Sequence, residues 1–225
     1  LDPVLSLGLD RQDPSAVRPS APYRLDLALT YRIGEGDTTD PLARRRVDRE
    51  LTAEEWKTVL TQAWQVGIPH VTFTGGEPTL RPDLVELVQA AEAQGQVTGL
   101  LTDGCRLASG DLLDRLSQAG LDHLLIAVSD DPASLDGLKR AIAYDIYTVA
   151  HWTLTPENAA DTDARLKAFR EMGVSAVSLS ASQASQAMTA AVSQARNRVA
   201  RLGMDLVWDL PAPYSASNPI NLELE

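Results

Sequence analysis

The sequence predicts an α/β protein built as a partial (β/α)6 TIM-like barrel with parallel strands. Short apolar runs alternate with amphipathic stretches at a strand-to-strand period of roughly 25–30 residues, the mark of repeated strand–helix units. Such alternation requires right-handed crossovers and yields a parallel sheet covered by helices. A doubly wound sheet would carry a glycine-rich phosphate turn directly after its first strand, whereas here Arg32-Ile33-Gly34-Glu35-Gly36-Asp37 leads into a long polar loop. That loop suits a barrel, whose ligands sit at the carboxyl ends of the strands.

Residues 1–22, rich in Pro, Ser and Asp without a period, read as an extended arm, and the domain proper spans residues 23–210. The first strand is expected at residues 25–31. Thr52, followed by Glu54 and Glu55, starts a helix that runs to about Val66, because its hydroxyl can cap free N–H groups while the acids face the positive helix end. Trp56 and Trp64 lie eight apart on that helix, a spacing of core packing. A second strand at 71–74 precedes a helix opened by Pro82 and Asp83 and ending near Gly95. A third strand at 97–101 precedes a helix opened by Ser109 and Asp111 and ending at Gly120. The fourth strand, 123–128, leads to Asp130-Asp131-Pro132, where at least one acid caps the next helix. The fifth strand at 146–154 and a helix over 158–172 are followed by Gly173, and a sixth strand at 176–179 and a helix over 184–202 by Gly203. A seventh strand is expected over 204–210, and residues 211–225 read as a turn-rich connector or truncated tail. The chain opens without methionine and stops at Leu-Glu-Leu-Glu, which suggests an excised portion of a longer protein.

Composition narrows function. With 44% hydrophobic and 23% charged positions in 225 residues, the chain can bury a sizeable core and is not disordered. Twenty Lys plus Arg against 31 Asp plus Glu give a net charge of −11, the wrong sign for broad neutralisation of nucleic-acid phosphates or an anionic membrane. No stretch reaches the roughly 18 apolar residues of a membrane span, and Asp2, Asp10, Arg11 and Asp13 occupy the place of a secretory segment, so the expected compartment is the cytoplasm. The one cysteine, Cys105, excludes an intramolecular disulfide and a multi-thiolate metal site.

The most specific string is Thr74-Gly75-Gly76-Glu77-Pro78-Thr79-Leu80-Arg81-Pro82-Asp83, at the end of the second strand. Adjacent glycines let backbone N–H and C=O groups approach a ligand, and Glu77 adds an acceptor for a cation such as an ammonium. The string resembles the second-strand motif of the radical S-adenosylmethionine superfamily. The segments Tyr23 to Arg32 and Leu51 to Trp56 resemble the first strand and first helix of its molybdenum-cofactor and peptide-modifying branches. Thr102-Asp103-Gly104 stands where that family has Thr-Asn-Gly, and Ala127-Val128-Ser129-Asp130 at its fourth strand end. The resemblance implies that Gly75, Gly76, Glu77 and Pro78 hold the methionine end of S-adenosylmethionine, with Thr102, Asp103, Ser129 and Asp130 completing the site and Ser129 and Asp130 near the ribose.

The family also places three cysteines, CxxxCxxC, after the first strand, because a four-iron cluster needs three thiolates and leaves one iron open. In the register of Tyr31-Arg32, those positions hold Ile33, Asp37 and Asp40. Isoleucine is no ligand and aspartate is a hard oxygen donor, so no iron–sulfur cluster is expected. Radical initiation is expected to be absent, and S-adenosylmethionine to bind weakly without the open iron. Cys105 reads as an ordinary thiol.

Other candidates carry less. Glu35, Asp37 and Asp40 with Thr38 and Thr39 offer oxygen donors for Mg²⁺ or Ca²⁺, without the order of a calcium loop. Arg44, Arg45, Arg46 and Arg49 form a cationic run that suits phosphates or an acidic peptide, or else pairs with Asp48 and Glu50. His70, His123 and His151 lack ligand or triad spacing and read as structural. Thr153, Thr155 and Asn158 line the fifth strand end, and Ser180 and Ser182 the sixth. The expected protein is therefore a cluster-less, catalytically inactive barrel that binds S-adenosylmethionine, a nucleoside, a peptide or another small molecule at its mouth. A scaffold presenting its arginine loop to a partner, and an acidic loop that binds metal and assists hydrolysis, remain the alternatives.

Overall fold

The computed structural model describes residues 22–34, 49–183 and 185–207. Seven parallel strands form one sheet in chain order: β1 (Arg24–Thr30), β2 (His70–Gly75), β3 (Val97–Thr102), β4 (His123–Ala127), β5 (Tyr147–Leu154), β6 (Ala176–Ala181) and β7 (Asp205–Leu206). Among the described residues six helices connect them: α1 (Ala53–Gln65), α2 (Leu84–Glu92), α3 (Leu112–Gln118), α4 (Pro132–Ala141), α5 (Thr162–Met172) and α6 (Gln186–Arg201). Among the described residues β1 and β7 do not pair, so the sheet curls without closing. The fold is thus six strand–helix units plus a short seventh strand, as the period implies.

The local signals act as their chemistry requires. The Thr52 hydroxyl accepts from the Glu55 N–H at 3.3 Å and the Glu55 carboxylate accepts from the Thr52 N–H at 2.9 Å, a complete capping box for α1. Asp131 caps α4 by accepting from the Ala133 N–H at 2.8 Å, with Pro132 at the first helical position. Gly173 ends α5 in the left-handed region that a side chain would disfavour.

Strand residues alternate between two apolar layers. Leu27, Phe73, Leu100, Leu124, Ile126, Ala150 and Trp152 join Leu60, Leu87, Leu116, Leu138, Leu166 and Phe169 in the main core between sheet and helices. On the concave side Leu101, Leu125, Val149 and Ala176 form a second, small cluster against Val207.

Several expectations need correction. Helix α5 starts at Thr162 after a 3₁₀ turn (Ala159–Asp161), not at Asn158, because the Asn158 amide is spent locally. It accepts from the Thr155 N–H at 2.8 Å and donates to the Thr153 carbonyl at 3.0 Å, which holds the chain in a turn. Asp83 precedes α2 without capping it, since its carboxylate binds Arg81. Trp56 packs on the core, but Trp64 is 43% exposed and lies over the Gly95 turn. β7 is shorter than expected, and residues 208–210 lie outside the described residues, as do 1–21 and 211–225. No described helix is long and apolar enough to cross a membrane.

Candidate functional site

The Gly-Gly-Glu-Pro turn sits at the carboxyl end of β2, between the ends of β1 and β3. Its two glycines answer first to β1. A Cβ on Gly75 would lie 2.2 Å from the Thr30 carbonyl oxygen, and one on Gly76 2.1 Å from that of Arg32. Gly75 also has φ +120°. The close approach lets the Gly76 N–H donate to Thr30 O at 2.7 Å and the Glu77 N–H to Arg32 O at 2.6 Å. Of the glycine backbone groups expected from the sequence to approach a ligand, the Gly76 N–H is therefore bonded to the end of β1, as is the N–H of Glu77.

Glu77 is 5% exposed and its carboxylate ties β2 to β3. Oε1 accepts from the Thr79 N–H at 2.9 Å, the Thr79 hydroxyl at 2.5 Å and the Thr102 hydroxyl at 2.8 Å, and Oε2 from the Asp103 N–H at 2.7 Å. Burial, with the nearby charge of Asp103 second, pushes the Glu77 carboxyl up to about 7, while the hydrogen bonds from the Thr79 hydroxyl, the Asp103 N–H and the Thr102 hydroxyl oppose the rise. Expected as a free acceptor for an ammonium, Glu77 is largely spent inside the protein, with acceptor capacity left on Oε2 alone. Pro78 is buried and opens the 3₁₀ turn (Pro78–Leu80) that carries Thr79 back onto Glu77.

The β3 end continues the same network. The Thr102 hydroxyl accepts from the Gly104 N–H at 3.1 Å, Asp103 Oδ1 accepts from the Cys105 N–H at 2.8 Å, and the Ser134 hydroxyl donates to the Asp103 carbonyl at 2.6 Å. The Cys105 thiol is pushed up to about 12, by burial first and then by Asp103. At β4, the Ser129 hydroxyl accepts from the Asp131 N–H at 3.2 Å, and the exposed Asp130 pairs with Arg165 of α5. Arg165 in turn stacks on Trp152, 4.8 Å from the ring centroid. Gly75, Gly76, Glu77, Pro78, Thr102 and Asp103 are thus one connected unit, which Ser129 joins because its N–H donates at 3.2 Å to the Ser134 hydroxyl that holds the Asp103 carbonyl, while Asp130 turns to Arg165.

Sequence reasoning missed two groups. Arg81, its side chain 10% exposed, donates to Leu29 O at 3.0 Å and Leu51 O at 3.1 Å and binds both oxygens of Asp83 at 2.9 and 2.6 Å. Register shifts between Ala28 and Thr30, and Arg81 takes the displaced Leu29 carbonyl. Glu50 accepts from the Thr30 hydroxyl at 2.5 Å and the Tyr31 N–H at 3.2 Å and lies 3.5 Å from Arg81, and Arg49, the described member of the arginine run, pairs with Glu55 at 2.6 Å. The second group is His151, which is 3% exposed and joins Ser178, Ser180 and Thr153 on the concave face. Its signal in the sequence was the alternation His151, Thr153 opposite Ser178, Ser180. His70 and His123 line a cleft of about 150 Å³ at the opposite, amino ends of the strands.

Ile33 is 54% exposed, while Asp37, Asp40, the rest of the acidic loop and Arg44 to Arg46 lie outside the described residues. Among the described residues no three His, Cys, Asp or Glu converge to hold a metal ion.

A partial parallel α/β barrel thus carries this turn at its second strand end, and the model of the radical SAM superfamily matches residues 34–152. The chain belongs to the radical SAM superfamily. It is 37% identical over 124 residues to a PqqA peptide cyclase of Rhizobium meliloti (strain 1021), covering 55% of this chain and 31% of that protein. To a protein of the same name from Gluconobacter oxydans (strain 621H) it is 40% identical over 114 residues, covering 50% and 32%. The chain thus spans about a third of the length of these curated relatives. Its fold resembles that of Streptococcus suis SuiB bound to S-adenosylmethionine, with TM-score 0.65, 12% identity, and 84% of this chain and 50% of that chain covered. SuiB bound to precursor peptide SuiA gives TM-score 0.64 at 14% identity, covering 84% and 49%.

Proposed function

We propose that this chain is the barrel portion, residues 23–210, of a peptide-modifying radical SAM protein, and that it binds S-adenosylmethionine weakly at the ends of β2 to β4 without itself holding the cluster that cleaves it. The observation that carries the reading is the connected Gly75 to Asp103 unit in a chain with one cysteine. A four-iron cluster does not fit this donor set: Cys105 supplies one thiol, which burial and Asp103 keep protonated, and Ile33 is no ligand. S-adenosylmethionine fits in part. Glu77 Oε2 retains room for one ammonium hydrogen, and Ser129 lies at the adjacent strand end as a hydroxyl partner for the ribose. A peptide ligand is read from the relatives' name and from SuiB with its precursor peptide. The cytoplasmic location belongs to the same proposal and rests on the single cysteine.

Equilibrium binding of S-adenosylmethionine to the full chain tests the reading. Saturation with a dissociation constant on the order of 1 mM, about −4 kcal/mol, is expected, and Glu77→Gln should weaken it about tenfold while keeping the fold. No saturable binding at millimolar ligand would leave the barrel a scaffold. Anaerobic reconstitution with iron and sulfide is expected to give no stoichiometric cluster. A stoichiometric brown cluster would overturn the cluster-less reading.

A further inference from the structure

Residues 151 and 153 of β5 and 178 and 180 of β6 sit side by side in parallel register, with His151 opposite Ser178 and Thr153 opposite Ser180. They stand directly above the apolar layer of Val149 and Ala176 on the concave face. His151 and Ser178 are buried, whereas Thr153 and Ser180 are half-buried, so the cluster opens toward the carboxyl ends of the strands. His151 Nδ1 meets the Ser178 hydroxyl at 3.1 Å, and Nε2 meets the Ser180 hydroxyl at 3.0 Å and the Thr153 hydroxyl at 3.2 Å. The Thr153 and Ser180 hydroxyls are 3.1 Å apart.

Counting hydrogens shows what the cluster lacks. A neutral imidazole carries one N–H and one acceptor nitrogen, and each hydroxyl carries one hydrogen and two lone pairs. If Nδ1 holds the proton, it donates to Ser178. Nε2 then accepts from Thr153 or Ser180, these two share the remaining hydrogen, and the Ser178 hydrogen is left over. If Nε2 holds the proton, Ser178 donates to Nδ1. One of the two outer hydroxyls then donates to the other, whose own hydrogen has no acceptor because Nε2 can only donate. In both tautomers one hydroxyl hydrogen and several hydroxyl lone pairs stay unused. With the proton on Nε2 the unused hydrogen lies on an outer hydroxyl, so Thr153 and Ser180 together offer a donor and an acceptor toward the opening, and no formal charge, since burial also keeps the imidazole neutral.

We infer that His151, Thr153, Ser178 and Ser180 form a recognition site inside the barrel for an uncharged amide, the group that presents one carbonyl acceptor and one N–H donor. The inference deepens the reading above by assigning the site to the peptide's main-chain or carboxamide groups, and rests on that reading for the peptide alone. A carboxylate or ammonium is disfavoured here, because hydroxyls and a neutral ring do not compensate the cost of burying a charge.

The test uses the full chain with ¹⁵N-labelled histidine, whose three imidazoles can be told apart because His70 and His123 lie at the opposite end of the strands. The probe is N-acetylglycinamide, titrated to roughly 100 mM because a small ligand with few contacts binds weakly. The His151 resonances, identified by their loss in His151→Gln, are expected to shift saturably while those of His70 and His123 stay. Ser180→Ala and Thr153→Val should each weaken the apparent affinity about fivefold, one net hydrogen bond. The half-buried position of both residues lets these variants fold even if His151→Gln does not. No saturable shift, an equal response to acetate, or a response to adenosine without one to the amide would each overturn the inference, the last by assigning the cluster to a nucleoside. S-adenosylmethionine binding is measured separately on the same protein, so failure of the cofactor reading and failure of the amide site are distinguishable.

Discussion

Glu77 and His151 are buried in opposite senses, and their effects on stability oppose each other. Burial raises Glu77 to about 7, so between about 4.5 and 7 the folded state holds a proton the unfolded state has lost, and stability falls as pH rises through that window. Burial lowers His151 to about 4, so between about 4 and 6.5 the unfolded state holds the extra proton, and stability falls as pH drops through that window. Each effect is on the order of 3 kcal/mol across its window, and they largely cancel between about pH 4.5 and 6.5. Urea denaturation of Glu77→Gln is therefore expected to show stability falling steeply as pH is lowered over this range, and of His151→Gln to show stability rising. Parallel profiles for both variants and the parent chain would contradict the assignment.

At the scale of elements, helix α4 is fixed against the β3 end by two glycines. A Cβ on Gly137 would lie 2.0 Å from the Gly104 carbonyl oxygen, a backbone atom that cannot swing aside. Ser134, one turn earlier on α4, donates to the Asp103 carbonyl, so the helix locks the same turn that completes the Glu77 network. Alanine is a better helix former than glycine by about 1 kcal/mol, yet Gly137→Ala should cost roughly 3 kcal/mol through overpacking, measured as a lower urea midpoint. A neutral or stabilising result would show that α4 is free to shift. The elements themselves were legible in the sequence, because Thr52 with Glu55, Asp131 with Pro132, and Gly173 act on chain neighbours within a few residues. The role of Asp83 was not legible: two residues after Arg81 and one before α2 it suits a cap or an ion pair equally, and the distant Leu29 and Leu51 carbonyls that fix the Arg81 guanidinium decide for the ion pair.

The whole molecule is a sheet with two unequal faces, and neighbouring leucines of β4 report on them separately. Leu124 is 1% exposed in the main core and Leu125 4% exposed in the small concave cluster. Leu124→Ala should cost about 4 kcal/mol, because helices on the far side hold the cavity open. Leu125→Ala should cost about 2 kcal/mol, because the concave face of an unclosed sheet can relax or admit water. Equal losses in chemical denaturation would mean that the interior is packed as rigidly as the helix layer.

The sequence by itself determined the strand–helix order, the parallel sheet, the caps at Thr52 and Asp131 and the Gly-Gly-Glu-Pro turn at the second strand end, because periodicity and these caps are set by residues close in the chain. Its single cysteine likewise needed no structure to be counted. Tertiary structure alone decided what those residues touch. Glu77 finds Thr102 25 positions away, Arg81 finds the Leu29 carbonyl 52 positions away, and His151 finds Ser178 27 positions away. A buried polar group takes whichever partner the packed sheet brings within about 3 Å, and that choice is made between strands, where local pattern carries no information.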